Sequence, residues 1–160
     1  MKINNKIILP ICGFLLGFLC LIIALKKYEI VVNYSESLPY KFVIIDKSKK
    51  PTKKGQLAVF YVLNSKELAV EKIKFIKIYG GSEGSEILLK NNKIFVDDFL
   101  IGEVKEKSKK NQKLTAIQSQ IISKQKYFFY SLHQDSFDSR YQEIGLIDEK
   151  NIVGTAIFAY

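Results

Sequence analysis

The chain has 160 residues, which is enough for one domain with a modest hydrophobic core. Its formal net charge is +9, but the first 28 residues carry four lysines and no acid, so the remainder has only a mild positive excess and lacks the charge footprint of a nucleic-acid-binding protein. Both cysteines, Cys12 and Cys20, precede this remainder and His133 is the only histidine, which excludes a disulfide there and argues against a zinc site.

An uncharged apolar run extends from Ile7 to Leu25. At about 1.5 Å per residue, a helix over this run would be roughly 28 Å long, close to the hydrocarbon thickness of a bilayer. The run is longer than the apolar region of a typical signal peptide, and two lysines follow it rather than a small-residue cleavage site. A core helix would be amphipathic, whereas this run is apolar on all sides. We therefore predict a retained transmembrane anchor over residues 7–25 after a short tail over residues 1–6. The nearly balanced flanking lysines do not decide on which side of the membrane this tail lies.

The rest of the chain, residues 29–160, has the pattern of a β domain. Segments rich in β-branched and aromatic residues recur with turns between them, and Asn91-Asn92 is typical of a hairpin turn. This pattern predicts a mainly β, antiparallel fold with a barrel-like or sandwiched sheet. Residues 66–72 are predicted as a helical turn or a loop, and residues 104–120 as a lysine-rich polar insertion with a weak helical tail. The predicted strands are 28–32, 41–46, 56–63, 73–79, 86–90, 93–102, 127–132 and 151–160.

The first candidate functional residue is Lys77, which lies inside an apolar strand. Strand alternation places its side chain on the same face as Phe75 and Tyr79. A lysine among apolar groups loses water, and this loss disfavours the charged ammonium. To act as a base near neutral pH, the amine needs a pKa of about 7–8 instead of about 10.4. The alternative is an ordinary lysine whose amine reaches solvent at the edge of the sheet.

A second candidate stretch is "SLHQDSFDSRYQEIG", residues 131–145. Asp138 and Arg140 are two positions apart and could pair as a structural clamp. Ser136 lies close to them in sequence, and a serine hydroxyl can hold a buried amine by a hydrogen bond without adding charge. The alternative is a polar turn between two strands.

The third candidate stretch, "VNYSESLPYKF", follows the apolar run. Ser37 could serve as a nucleophile if a base removes its proton, and Pro39 stiffens the chain beside it. The hydroxyl of Ser35 could join the backbone N–H of Ser37 as an oxyanion donor. The alternative is a solvated linker, in which serine and proline are common.

These three stretches, in this order, resemble the type I signal peptidase family of membrane-anchored serine/lysine proteases, and most nearly its conjugative-transfer branch, the TraF-type peptidases. The lysine-containing motif of the family resembles "FIKIYGGSEG", and its late motif resembles "DSFDSRY". The branch has asparagine, a hydroxyl residue, serine and proline at alternating positions, as in Asn33, Ser35, Ser37 and Pro39 here. Departures from the family pattern, which bear on substrate preference, are Lys41, Ile78, Glu83, Ser85 and the tripeptide Ser131-Leu132-His133.

The resemblance implies a peptide-bond hydrolase that needs no metal or cofactor. Its substrates would be exported precursor proteins, including pilin or conjugative-transfer proteins, with small residues before the cleavage site. It also implies a single-pass protein of the bacterial inner membrane, in contact with the lipid bilayer and with conjugation or secretion machinery. In this topology residues 1–6 form a cytoplasmic tail, and the signal-peptidase-like β domain lies on the periplasmic side. The implied roles are Ser37 as nucleophile, Lys77 as general base, the Ser35 hydroxyl and Ser37 amide as oxyanion hole, Ser136 as the group that orients Lys77, and Asp138 with Arg140 as structural support.

Three alternatives compete with this interpretation. A Ser/His/Asp triad would use His133 with Asp135 or Asp138, and it would need the nucleophile to be brought to a loop. A non-catalytic β domain could scaffold an envelope secretion or conjugation complex, with its lysine-rich loops as docking surfaces. A self-cleaving repressor-type peptidase shares the serine/lysine chemistry, but the sequence has no DNA-binding helical region. The separation of the Ser37 and Lys77 side chains would distinguish the first interpretation from a scaffold.

Overall fold

The computed structural model describes residues 5–65 and 70–160. Within these ranges one α-helix precedes eleven strands, and a short 3₁₀ helix, Glu149–Asn151, precedes the last of them. The helix is α1 (Asn5–Lys27). The strands are β1 (Tyr28–Val32), β2 (Phe42–Asp46), β3 (Leu57–Ser65), β4 (Val70–Gly81), β5 (Glu86–Lys90), β6 (Lys93–Val96), β7 (Phe99–Glu103), β8 (Gln120–Ile121), β9 (Lys126–Tyr130), β10 (Ile147–Asp148) and β11 (Ile152–Ala159).

Helix α1 covers the run for which we predicted a membrane anchor, residues 7–25. Side chains along it, including Phe14 and Leu25, are apolar and exposed. Across the described part of the chain, no helix combines the length and the apolar character needed to cross a membrane. The anchor stays a prediction, and most of the predicted cytoplasmic tail, residues 1–4, lies outside the described residues.

The strands form two antiparallel sheets. The larger sheet has the order β1-β2-β11-β3-β4-β9-β10, and the smaller has the order β7-β6-β5-β8. In the described residues both sheets are open, since β1 and β10 are the two edges of the larger one. The prediction of a mainly β, antiparallel fold is therefore confirmed, whereas a closed barrel is not formed. The longest pairing is that of β3 with β4, from Leu57↔Ile78 to Ser65↔Val70.

Two hairpin turns shape the smaller sheet. The predicted turn at Asn91-Asn92 is confirmed, with φ angles of 51° and 59° that suit a type I′ turn. A second turn, at Asp97-Asp98, divides the predicted strand 93–102 into β6 and β7. Aspartate tolerates the left-handed region, and the Asp97 carboxylate accepts the N–H of Glu86 at 2.7 Å. This hydrogen bond to β5 supports the turn, and the turn ends a strand that looks continuous in the sequence.

The predicted helical tail of residues 104–120 is wrong. This segment contains no helix and crosses the domain through isolated contacts, including a bridge between Ala116 and Tyr141. The N–H of Ile117 donates to the carbonyl of Arg140 at 2.8 Å, and the Ile117 side chain is buried. Burial of one apolar side chain and pairing with a distant segment outweigh a weak local helical preference. Of the predicted turn or loop at 66–72, residues 66–69 lie outside the described residues and 70–72 belong to β4.

The larger sheet carries an apolar cluster on each face, and β4 contributes to both. Ile76 and Ile78 pack into one cluster, and Phe75 and Tyr79 into the other. Strand β9 pairs with β4 only from Ile78 onward, so the preceding part of β4 has no strand partner on that side among the described residues. Lys77 lies on this stretch, directly before the residue at which β9 begins to pair.

Candidate active site

Lys77 is buried, with only 5% of its surface exposed. Its amine lies 5.5 Å from the centre of the Phe75 ring. Burial lowers the pKa of Lys77 from 10.5 to about 8, while the charge of Asp138 opposes this shift and that of Arg140 adds to it. With that pKa, about a tenth of the amine is neutral at pH 7, compared with less than about 0.1% for an exposed lysine. The alternative of a lysine that reaches solvent does not fit this burial.

The segment between β1 and β2 brings a serine hydroxyl to this amine. Lys77 Nζ lies 3.0 Å from Ser37 Oγ, and Ser37 Oγ lies 2.8 Å from Ser35 Oγ. Asn33 organises the segment: its Oδ1 accepts the hydroxyl of Ser35 at 2.9 Å, and its Nδ2 donates to the carbonyl of Tyr40 at 2.8 Å. The alternating asparagine and serines therefore form one hydrogen-bonded loop, in which Asn33 has a holding role that we did not predict from the sequence.

Two contacts fix this loop against the domain. The side chain of Leu38, next to the serine, is buried in the core. The hydroxyl of Ser131 donates to the carbonyl of Ser37, and the N–H of Ser131 donates to Asp138 Oδ2 at 3.1 Å. From the sequence, Ser131 stood out only as a departure from the family pattern, and no role was predicted for it. Its contact joins residues 94 positions apart, so no local pattern indicates it.

Ser136 provides a second hydroxyl for the amine. Lys77 Nζ lies 2.7 Å from Ser136 Oγ, and both side chains are buried. The N–H of Ser136 donates to the carbonyl of His133 at 3.1 Å, which closes a turn. Its own carbonyl accepts a hydrogen bond from Arg140 Nη2 at 3.2 Å. The predicted neighbourhood of Lys77, Ser37 and Ser136 is thus present as a continuous set of hydrogen bonds.

Asp138 and Arg140 form a buried bidentate ion pair. Arg140 Nε donates to Asp138 Oδ1 at 2.9 Å, and Arg140 Nη2 donates to Asp138 Oδ2 at 2.9 Å. The guanidinium also donates to the carbonyls of Glu103 and His133, each at 3.2 Å. Such a pair is expensive to break, because one partner alone would be left as an uncompensated buried charge. The pair joins β7 to the turn that holds Ser136 and does not contact Lys77 directly.

The surroundings of His133 do not form a triad. Its Nδ1 accepts the backbone N–H of Asp135 at 3.1 Å. The Asp135 carboxylate is paired with Lys105 and with Lys109, the latter at 3.3 Å. The carboxylate of Asp138 is paired with arginine as described above. In a triad an acid accepts a hydrogen bond from the histidine, and both candidate acids are paired elsewhere.

The hydroxyls and the amine lie in the wall of a groove of about 820 Å³. One side of the groove is formed by residues 29–37, from β1 and the loop that follows it. The other side is the edge of β4 from Ile73 to Lys77, and the turn around Ser136 closes one end. An extended peptide in this groove would pass the Ser37 hydroxyl.

Replacing Ser136 with alanine tests its positioning of Lys77. We expect kcat to fall roughly 10- to 100-fold with little change in KM, because a hydrogen bond to a charged or reacting amine is worth about 1.5–3 kcal/mol. Steady-state kinetics over a pH series measures this, and the pH midpoint should move as well. Ser48→Ala is the matched control, since it removes a hydroxyl that binds Asp46 away from the groove. An unchanged kcat and pH profile for Ser136→Ala would show that this hydroxyl does not position the amine.

Comparison with known proteins places these residues in a wider context. The family described as "Signal peptidase, peptidase S26" matches residues 3–160. Seventeen chains of known structure also match. Among them is a signal peptidase I from Enterococcus faecalis V583, with 18% identity over 66% of this chain and 97% of that chain, and a TM-score of 0.43. No curated protein sequence matches the chain.

Proposed function

Since this chain belongs to the signal peptidase family, peptidase S26, whose members are serine peptidases, we propose that it removes signal or leader peptides from exported precursor proteins with Ser37 and Lys77 as its catalytic dyad. The observation that carries the proposal is the 3.0 Å distance between Lys77 Nζ and Ser37 Oγ. A scaffold would not require this contact, nor an amine with a pKa of about 8. Direct proton transfer requires the base to lie within hydrogen-bond reach of the hydroxyl. Only when this geometry is met does the pKa of the base affect the rate.

The proposed reaction is acyl transfer to serine followed by hydrolysis. Neutral Lys77 takes the proton of the Ser37 hydroxyl while Ser37 Oγ forms a bond to the carbonyl carbon of the scissile peptide. The negative oxygen then receives hydrogen bonds from the Ser37 N–H and the Ser35 hydroxyl, whose oxygen lies 2.8 Å from Ser37 Oγ. To donate here, the Ser35 O–H turns away from Asn33 Oδ1, its acceptor in the free protein. When the C–N bond breaks, the ammonium of Lys77 returns its proton to the leaving amine. The acyl group remains on Ser37.

Deacylation repeats these steps with water. Neutral Lys77 takes a proton from water, the hydroxide oxygen bonds to the acyl carbon, and Ser37 leaves with the proton that Lys77 returns. Ser136 holds the amine through both halves, at 2.7 Å from Nζ. Asp138 and Arg140 take no part in the proton transfers. They fix the turn that carries Ser136 and the residue that binds the Ser37 carbonyl, and their charges shift the pKa of Lys77 in opposite directions.

The proposed substrates are precursors with small residues before the cut, of the pilin or conjugative-transfer type that the TraF-like sequence pattern implies. The test is incubation of the purified full-length protein with candidate precursors, followed by mass spectrometry of the products. We expect one cut per precursor, absent with the Ser37→Ala variant. Cleavage that persists in this variant would exclude Ser37 as the nucleophile.

We also propose that α1 attaches the domain to the bacterial inner membrane, with the catalytic domain on the periplasmic side. The support is the uncharged sequence of residues 7–25 and the exposure of apolar side chains along the helix, such as Phe14 and Leu25. After an alkaline wash of membranes, the full-length protein should stay in the pellet, and protease added outside the inner membrane should digest the domain. Release by the wash would contradict the proposal, and protection from external protease would contradict the orientation.

A further inference from the structure

An ion pair lies across the groove at a distance from the serine and lysine. Glu29 of β1 and Lys74 of β4 both line the groove, and Lys74 Nζ donates to Glu29 Oε1. Their strands are not neighbours, because β1 is first and β4 is fifth in the order of the sheet. Two positions further along each strand, Val31 and Ile76 are buried in one apolar cluster. The packed strands therefore hold the two charged side chains together.

The position of the pair along the groove follows from strand geometry. Lys74 precedes Lys77 by three residues on β4, which corresponds to about 10 Å at about 3.3 Å per residue. An extended peptide covers the same distance with about three residues. Between the two points the groove is lined by apolar side chains, including Ile30, Val32 and Phe75. Strand alternation directs the Lys74 and Lys77 side chains to opposite faces of β4, and both line the groove because it follows the edge of β4 that β9 leaves unpaired. A bound peptide along this edge thus passes from the reacting bond over apolar side chains to an ion pair.

The pair is only about a third exposed, with 31% of the Lys74 side chain and 30% of the Glu29 side chain accessible. The hydrogen bond to Glu29 raises the pKa of Lys74, so the amine stays charged at neutral pH. A large apolar substrate side chain placed over these groups would remove their remaining water and offer no hydrogen bond in return. A polar side chain could replace the lost water by bonding to the carboxylate or the ammonium.

We propose that Glu29 and Lys74 are specificity-determining residues, which select a polar over a large apolar side chain three or four residues from the scissile bond of the substrate. This inference rests on the proposed peptidase function of Ser37 and Lys77. The pair acts on the binding of one substrate side chain and takes no part in the reaction itself. Its effect should therefore appear mainly in KM for the disfavoured substrates.

The test uses peptides based on a cleaved precursor, with glutamine or leucine in turn at positions two to five on each side of the cut. For the wild-type protein, we expect one position at which kcat/KM for the glutamine peptide exceeds kcat/KM for the leucine peptide by about tenfold. In Glu29→Met/Lys74→Met the two charges become apolar side chains of similar length, and this ratio should fall to one or reverse. Lys93→Met/Glu103→Met is the matched control, because it removes an exposed cross-strand pair from β6 and β7 and should keep the wild-type ratio.

The same peptides are then bound to the Ser37→Ala protein and measured by fluorescence anisotropy. Cleavage with no glutamine preference, or the same preference in Glu29→Met/Lys74→Met, would overturn this inference and leave the peptidase function intact. Equal binding of the glutamine and leucine peptides by the Ser37→Ala protein would likewise count against the inference alone. Cleavage of the starting precursor by the Ser37→Ala protein would contradict the proposed function, whichever peptide is preferred.

Discussion

Replacing Ser37 with alanine should abolish cleavage of precursor proteins, with a loss in kcat on the order of 10⁶-fold, as for removal of the serine in another serine protease. The reason is that, among the described residues that line the groove, only Ser37 combines a hydrogen bond to Lys77 with partial exposure to the groove. Ser136 is buried beneath the amine and Ser35 contacts Ser37 rather than lysine. Product formation over a long incubation, measured by mass spectrometry, gives the sensitivity needed for a loss of this size.

Ser35→Ala is the matched control for this variant, since it removes a hydroxyl two residues away in the same loop. We expect it to lower kcat by about 10²–10³-fold, which is typical of the loss of one oxyanion donor. Both variants should keep the circular dichroism spectrum and thermal midpoint of the wild-type protein, because Ser35 is exposed and Ser37 is only partly buried. If Ser35→Ala lost as much activity as Ser37→Ala, the assignment of nucleophile and oxyanion donor would have to be revised.

Replacing Lys77 with methionine should lower kcat by about 10²–10⁴-fold, the usual contribution of a general base. Methionine keeps an unbranched apolar chain in the buried site, so the fold should persist and only the amine is lost. Burial already disfavours the charge of this lysine, so its replacement should not reduce thermal stability. Full cleavage by Lys77→Met, together with its loss in His133→Ala, would instead indicate a histidine-dependent mechanism.

The pH dependence of cleavage by the wild-type protein should follow the titration of the Lys77 amine. Only neutral Lys77 can accept the serine proton, and its pKa is about 8. We therefore expect kcat/KM to fall about tenfold for each pH unit below about 8 and to level off above it. A profile with no such decrease between pH 6 and 8 would show that the protonation of this lysine does not control the reaction. The Ser48→Ala control, remote from the groove, should keep the wild-type midpoint.

Local features of the fold were predictable because the residues concerned act within a few positions of one another. Asn91-Asn92 forms the predicted turn, since two successive residues tolerate the left-handed region. The strand predicted over residues 93–102 was wrong because the turn at Asp97-Asp98 is supported by Glu86, from another strand. The helical tail predicted within residues 104–120 failed for a similar reason, since Ile117 is fixed by burial and by pairing with a distant segment.

The candidate site likewise has some features that the sequence predicts and others that depend on distant parts of the chain. The spacing of Asn33, Ser35 and Ser37, and the presence of a lysine within an apolar strand, were visible in the sequence and led to the family by resemblance. The sequence suggested that the Lys77 amine loses water but did not show how far, because the burial of this amine depends on a turn whose Ser136 is 59 residues away in the chain. The contact of Ser131 with Ser37 and that of Glu29 with Lys74 join still other distant segments.

The amino-acid sequence by itself determined which reactive groups are present, where the apolar run lies, and the turns that depend only on neighbouring residues, such as Asn91-Asn92. Only the tertiary structure decided which hydroxyls meet the amine, how far its pKa falls, and which charges line the groove. The physical reason is that desolvation and hydrogen bonding depend on atoms within a few ångströms. In a sheet whose first and fifth strands face each other across a groove, most of those atoms come from distant parts of the chain.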